Sequence, residues 1–244
     1  ATMVERMRRG PLYYWTERTL RLLVSGYVHT GKPSKFDYGP VNTSISYNTV
    51  EGIRLRTGGM TTAALSPRWF ARGYVAYGLR DHKWKYRGEV EYSFLDKKLH
   101  SREFPVHSLR FTSLYDIDQL GQRYVYTNAD NLFLSLKRME DTRLTYQRRQ
   151  QLEYTLELRN NFSLVASAAF ERQEATRWIP FVNGHGQSFG HYNEAMFELK
   201  LRYAPGEKFY QGKTNRMPIN LDAPVFEPVS YTHLRAHETV LDLV

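Results

Sequence analysis

The strongest constraint on the fold is a stretch of strict alternation, Trp84–Phe94. Its even-numbered positions hold Trp, Tyr, Gly, Val, Tyr and Phe, whereas its odd-numbered positions hold Lys, Arg, Glu, Glu and Ser. Because successive side chains of a strand point to opposite faces, the pattern predicts a strand with one apolar and one charged face. A helix would scatter the same residues around its circumference. The stretch also matches the roughly 9–11 residues with which a tilted strand crosses a bilayer.

Similar alternation recurs along the chain and predicts about ten strands with no amphipathic helix. The predicted strands span residues 18–28, 37–48, 53–57, 69–79, 84–94, 107–115, 131–137, 143–158, 162–170 and 194–203. Residues 116–130 and 171–190 lack the pattern and are expected to form long loops. Short turns at one end and long loops at the other are typical of outer-membrane barrels. The predicted fold class is therefore all-β, an antiparallel meander forming part of a transmembrane outer-membrane β-barrel.

Composition agrees with such a barrel but leaves a second architecture open. The chain holds 18 Tyr and 13 Phe and no Cys, and its mean hydropathy is −0.57. No apolar run approaches the roughly 18–20 residues of a membrane-spanning helix, whereas alternating barrel strands escape hydropathy averaging. A soluble sandwich or lipocalin-like binding barrel would show the same alternation with its apolar face turned inward. Periodicity alone does not decide which face meets the interior.

Charged residues on the polar face are the candidate site. Under the barrel interpretation they face the lumen, where their mixed signs predict cross-strand charge pairs and not an enzyme. An outer-membrane hydrolase, a further alternative, would need a Ser/His/Asp-like cluster at one rim, and the sequence does not show one. The predicted lumen-facing residues are Arg54, Arg56, Lys85, Arg87, Glu89, Glu91, Glu198, Lys200 and Arg202.

Motifs for cofactors, metals and nucleotides are not found in the sequence, so no cofactor and no metal is predicted. The nearest approach to a metal site is Gly184–Gly186 with His191 and Glu194, which we interpret as exposed loop histidines. Four aspartates that lack any common spacing are expected to be surface acids: Asp116, Asp118, Asp130 and Asp141. The pair Arg148–Arg149 is expected at a strand end or in a polar loop, where lipopolysaccharide phosphates would be natural partners.

The net charge of +9 could by itself suggest nucleic acid. The basic residues are spread along alternating strands, so no nucleic-acid partner is predicted. Residues 1–17 show no clear period and are expected to be irregular or the remnant of a preceding segment. No leader peptide can be read from them.

The C-terminal stretch Val229–Val244 resembles the product of reading through a transposase sequencing adapter. We therefore expect residues 229–244 to be a non-native tail on a metagenomic fragment, and we exclude them from the predicted barrel, residues 18–228. His233, His237 and Glu238 would otherwise suggest a metal site.

Several collinear stretches resemble one protein family. They are Ser46–Leu55, Gly73–Tyr86, Asp116–Gly121, Leu201–Gly212 and Pro224–Phe226. They resemble Bacteroidetes outer-membrane proteins that join an N-terminal carboxypeptidase-regulatory-like domain to a C-terminal barrel of unknown function. The resemblance implies location in the bacterial outer membrane, and lipid, lipopolysaccharide and envelope proteins as partners. It also implies a non-catalytic role in transport, binding or accessory support, and it supplies no catalytic residues.

Overall fold

Among the residues that the structure describes, regular structure is almost wholly β-strand. The computed structural model describes residues 16, 26–31, 33–119, 144–184, 186–211, 216–220 and 224–236. Within these residues lie fifteen strands and one 3-10 turn, Val41–Thr43. In the described part of the chain, no helix is long and apolar enough to cross a bilayer.

The strands fall into one large set and two small hairpins. They are β1 (Val28–His29), β2 (Phe36–Tyr38), β3 (Ile45–Asn48), β4 (Gly52–Thr61), β5 (Trp69–Gly78), β6 (Trp84–Ser93), β7 (His107–Gln119), β8 (Leu144–Glu157), β9 (Phe162–Glu174), β10 (Phe181–Val182), β11 (Ser188–Phe189), β12 (His191–Tyr203), β13 (Phe209–Gln211), β14 (Arg216–Pro218) and β15 (Val229–Ala236).

Eleven strands pair into a single antiparallel sheet in the order β1-β2-β4-β5-β6-β7-β8-β9-β12-β15, with β3 also on β4. The hairpins β10–β11 and β13–β14 lie within the connections before and after β12. Sequence neighbours are sheet neighbours almost throughout, so the predicted all-β antiparallel meander is confirmed. Among the described residues the sheet is open, with β1 and β15 at its edges.

Several strands extend beyond the alternation that predicted them. The structure continues β7 to Gln119 and β9 to Glu174, and it starts β12 at His191, so the loops predicted from residues 116 and 171 begin later. Ladder hydrogen bonds join backbone groups, so pairing continues where the side chains become polar. The strand predicted at 131–137 and most of that at 18–28 lie outside the described residues.

The strand predicted over residues 37–48 is interrupted. Its two halves are β2, which pairs with Gly59–Thr61, and β3, which pairs with Gly52–Leu55. Between them Gly39 has a φ of +141° and Pro40 lacks an N–H donor, so a regular ladder cannot continue there. The chain makes the 3-10 turn and rejoins β4 through a hydrogen bond from the Arg56 N–H to the Ser44 carbonyl, 2.8 Å.

Connections of different lengths occur at both ends of the sheet. At the end where β4 begins, the connections within the described residues include 49–51, 79–83 and 175–190. The opposite end carries residues 62–68, 94–106, 158–161 and 204–228. The expected separation of short turns from long loops is therefore wrong for this chain.

Side-chain contacts show that the sheet curls strongly. Arg54 on β4 reaches Asp116 on β7, three strands away, with two hydrogen bonds of 2.8 Å. Strands lie about 4.8 Å apart, so the two backbones would be about 14 Å apart in a flat sheet. The side chains meet because the face that carries them is concave. The opposite face, which carries Trp84 and Val90, is convex.

The last strand comes from the stretch expected to be non-native. Val229–Ala236 pairs along β12 from Lys200 to Asn193. Its convex face presents Ser230 and Thr232, where β12 presents Leu199 and Phe197. An open strand edge accepts any extended segment that can satisfy its backbone groups, so this pairing does not bear on the origin of the tail.

Candidate functional site

A buried network of charges occupies one end of the concave face. Arg54 forms its centre, with two hydrogen bonds to Asp116 and a 3.4 Å contact from the guanidinium to the Glu51 carboxylate. Lys85 lies 2.5 Å from both Glu51 and Asp81. The side chains of Arg54, Glu51 and Lys85 are at most 1% exposed. Residues of β4, β6, β7 and two turns thus meet in one cluster.

Further side chains form hydrogen bonds to this network. Two cations face three carboxylates within it, and charges so deeply buried are stable only when their remaining hydrogen-bonding groups are satisfied. Tyr74 donates to Asp116, and Tyr146 donates to Asp81 at 2.8 Å. The Asn48 amide donates to Glu51 at 2.5 Å. The network therefore ties β3 through β8 together at this end of the sheet.

The turn between β3 and β4 places Glu51 in the network. The Asn48 side-chain carbonyl accepts hydrogen bonds from the backbone N–H groups of Val50 and Glu51, at 3.0 and 2.8 Å. Gly52 follows with a φ of +68°, a conformation that favours glycine. The stretch Asn48–Gly52, one of those that carry the family resemblance, is therefore a turn that presents a buried carboxylate.

The middle of the concave face holds a second group of charges. Glu89 on β6 accepts from Arg72 Nε at 2.8 Å and from Arg87 Nε at 2.7 Å. Glu91, two residues further along β6 on the same face, pairs with Arg110. Arg110 also lies 3.3 Å from Glu153. The two glutamates are buried, whereas the side chains of Arg72 and Arg87 are 39% and 45% exposed. Their guanidiniums thus border the open space of the concave face.

The predicted residues of β12 form a separate group. Lys200 lies 3.6 Å from Glu198, and Arg202 lies 2.7 Å from Glu207 in the following turn. Both cations also come within 3.9 Å of Glu227. The nine predicted lumen-facing residues therefore divide in two. Those of β4 and β6 lie in or beside the two charge groups described above. Among them, the Arg56 guanidinium stacks 3.6 Å from the centre of the Tyr74 ring. Those of β12 pair locally.

Sequence reasoning missed several members of these groups, and two predictions about charged residues of the sheet are wrong. Asp116 was expected to be a surface acid, but it lies within β7, buried against Arg54. Arg148 and Arg149 were expected at a strand end or in a loop. They lie inside β8, and Arg149 donates to buried Glu171 at 2.7 Å. The strand period could have revealed Arg72 and Arg110, but partners across strands carry no sequence signal.

Of the residues considered for a metal site, His191 was expected in a loop but lies in a strand. His191 begins β12 and Glu194 lies buried within that strand, whereas His185 lies outside the described residues. Within the described ranges, no group of three or more His, Asp or Glu residues is arranged to hold a metal ion.

A loop between β6 and β7, residues 94–106, lies beside the charged residues of the concave face. Lys97 lies under it and donates to the carbonyl of Pro105 at 2.5 Å and to that of Glu103. Burial lowers the pKa of Lys97 below its usual range. Ser101, in the same loop, lies near the carboxylate of Glu91. The loop thus adds side chains to the same surface as the strands.

The convex face carries aromatic rings near both of its margins. At one margin, consecutive ring contacts of 4.4–5.6 Å join Trp69, Tyr92, Phe94, His107 and Tyr154 across β5 to β8. At the other, the rings of Tyr77 and Trp84 are 5.0 Å apart. Trp69 is 57% exposed and Trp84 68%. Eight residues separate Trp69 from Tyr77, about 27 Å at 3.4 Å per residue.

This apolar band runs obliquely across the hydrogen-bonded rows. On β5 it extends from Trp69 to Tyr77, and on β9 from Phe162 to Phe170. The pairing register places Trp69 in the row of Ala166, so the band moves four residues over four strands. One residue of stagger, about 3.3 Å, per strand spacing of about 4.8 Å gives a tilt of about 35°. Closed barrels have tilts of 35–45°.

Comparison with known proteins assigns the chain to a family. Residues 20–233 match the model of the C-terminal domain of a family of unknown function, DUF5686. The chain belongs to this family. No curated protein and no solved structure matches the chain. The resemblance to a C-terminal domain of unknown function is thus confirmed. The Bacteroidetes origin, the regulatory-like N-terminal domain and the adapter-derived tail remain predictions.

Proposed function

We propose that this DUF5686 domain forms part of the wall of an outer-membrane β-barrel with a non-catalytic role in transport, binding or accessory support at the bacterial envelope. One observation carries the proposal: the sheet buries its charged face on the concave side and exposes its apolar face on the convex side. A protein in water would gain by the reverse arrangement, because burial of apolar surface drives folding.

The dimensions of the apolar band support contact with lipid. At a tilt near 35–40°, the distance of about 27 Å along the strand corresponds to about 21 Å along the membrane normal. Outer-membrane barrels have an apolar band about 25 Å tall between two aromatic girdles. The lipocalin-like alternative requires apolar side chains to line the concave face. That face instead holds Arg54, Lys85 and Glu89.

The pairing of the ionisable groups favours a non-catalytic role. Arg54 and Lys85 each contact two carboxylates, and Glu89 is shared by two arginines. Such groups hold strands together and give the interior a fixed pattern of charge. At the membrane surface the partners that we propose are lipid, lipopolysaccharide and other envelope proteins.

Heat modifiability tests the proposal. The full-length gene product would be refolded in detergent and compared, boiled and unboiled, on a denaturing gel. A faster unboiled band together with strand-rich circular dichroism is expected, because a closed barrel resists dodecyl sulfate until it is heated. A product that shows no shift and stays soluble without detergent would overturn the membrane assignment.

A further inference from the structure

Three arginines converge on the middle of the concave face from different elements. Arg72 and Arg87 come from β5 and β6 and share the carboxylate of Glu89. Arg102 comes from the 94–106 loop and lies within electrostatic range of Arg72, Arg110 and Glu89. We call Arg72, Arg87 and Arg102 the arginine cluster.

The arginine cluster has more positive charge than its partners neutralise. Arg110 is paired with Glu91 and Glu153, and Glu89 alone serves both Arg72 and Arg87. Arg102 forms no salt bridge within the described residues, and its side chain is exposed. Arg110 and Arg72 lie close enough to Arg102 for their positive charges to repel its own.

The geometry leaves donors available to a ligand. A guanidinium has five N–H groups in a planar fork, and the bonds to Glu89 use only some of those of Arg72 and Arg87. Both side chains are more than one third exposed. The loop that carries Arg102 also brings Ser101 near the carboxylate of Glu91. A ligand that entered the concave space would contact the guanidinium groups of all three arginines.

We propose that the arginine cluster binds the phosphate group of a water-soluble solute inside the barrel. Guanidinium forks match phosphate oxygens with parallel, charge-assisted hydrogen bonds, which a single ammonium group does not provide. The inference rests on the proposed function for its location in a lumen. It deepens that function by naming phosphate-bearing solutes as the ligand class.

Calorimetric titration with inorganic phosphate tests the site. The full-length gene product, refolded in non-ionic detergent, would be titrated at low ionic strength beside the variants Arg102→Gln and Arg72→Gln/Arg87→Gln/Arg102→Gln. Saturable binding is expected, with affinity lowered on the order of tenfold in Arg102→Gln and further in the triple variant. Added salt should weaken binding because it screens the attraction.

Two further variants separate a binding role from a structural one. Arg68→Gln removes an exposed arginine that pairs with Asp96 in the 62–68 turn, away from the arginine cluster, and should leave phosphate binding unchanged. Glu89→Gln removes the competing carboxylate and should strengthen phosphate binding. A purely structural role for Glu89 predicts the opposite.

Either of two results would refute phosphate binding by the arginine cluster. One is the lack of saturable phosphate binding, and the other is equal phosphate affinity in the wild type and the triple variant. The gel assay on the same samples reports independently on the barrel. A heat-modifiable protein without phosphate binding would refute this site and leave the proposed function intact. Phosphate binding that depends on the arginine cluster, in a protein that is not heat-modifiable, would support this site and refute the proposed barrel.

Discussion

Arg54 and Asp116 lie 62 positions apart in sequence but share two hydrogen bonds inside the concave face. Neither residue is exposed enough for water to replace its partner. Removal of one member of a buried ion pair leaves an uncompensated charge, which typically costs about 3–5 kcal/mol. The contribution of each such residue therefore depends on a partner on another strand.

We expect Arg54→Met to lower the free energy of unfolding by about 3–5 kcal/mol, because Asp116 is left buried without its cation. Urea titration of the refolded full-length protein in lipid vesicles, followed by tryptophan fluorescence, measures the change. The double variant Arg54→Met/Asp116→Leu should recover part of the loss. Arg68→Met, which removes an exposed ion pair, is the control. A similar loss in Arg54→Met and in the control would contradict this account.

Gly52 supports the network through its backbone. Its φ is +68°, and an added Cβ would lie 3.1 Å from the Cβ of Arg80. Gly52→Ala should therefore cost about 1–2 kcal/mol, the usual penalty for a left-handed conformation with a side chain. Gly88→Ala is the matched control, because an added Cβ at Gly88 meets nothing within 4 Å. Urea midpoints for the two variants compare them directly, and equal midpoints would be incompatible with the turn geometry.

At the scale of the element, the 94–106 loop depends on one carboxylate. Glu103 accepts from the backbone N–H groups of Lys98 and Leu99, at 2.8 and 3.0 Å. Burial acts to raise the pKa of Glu103, but these hydrogen bonds and the nearby Lys97 outweigh it and lower the pKa below 4.5. The ionised form thus holds the loop in its folded conformation.

The loop should loosen in acid. Because the folded-state pKa of Glu103 is lowered, its stabilising contribution is complete above pH 4.5 and is lost as the pH falls through the lowered value. Hydrogen exchange at Lys98 and Leu99, corrected for intrinsic pH dependence, should show protection above pH 4.5 and faster exchange below it. Glu103→Gln should show the faster exchange at every pH. Protection that does not vary with pH in the wild type would exclude this role.

The elements that could be predicted from the sequence are those specified by a local pattern of residues. Alternation in Trp84–Phe94 was sufficient to predict β6 and the separation of its two faces, because that period is local. The break at Gly39–Pro40 was missed because side-chain alternation does not report on backbone conformation. The polar extension of β7 through Asp116 was missed because backbone pairing tolerates polar side chains. Pairs such as Arg54–Asp116 were invisible because they depend on the curl of the whole sheet. The arginine cluster likewise requires a loop fold that no local pattern specifies.

At the scale of the whole molecule, the curl of the sheet, the stagger of its strands and the polarity of its two faces are consistent with one another. The oblique apolar band, the tilt of about 35° derived from its stagger, and the concave charged face are separate observations. Each is what a barrel wall in a bilayer requires. We propose on these grounds that the convex face contacts lipid.

Quenching of single-tryptophan variants by brominated lipids tests that claim most directly. Full-length proteins that retain only Trp69, only Trp84 or only Trp178 would be refolded into vesicles. Trp69 and Trp84 lie near opposite margins of the band, whereas Trp178 lies in the 175–190 connection under Arg177. We predict strong quenching by lipids brominated near the headgroup for Trp69 and Trp84, and quenching by aqueous acrylamide for Trp178. Acrylamide quenching of all three, with no effect of the brominated lipids, would contradict a lipid-facing convex surface.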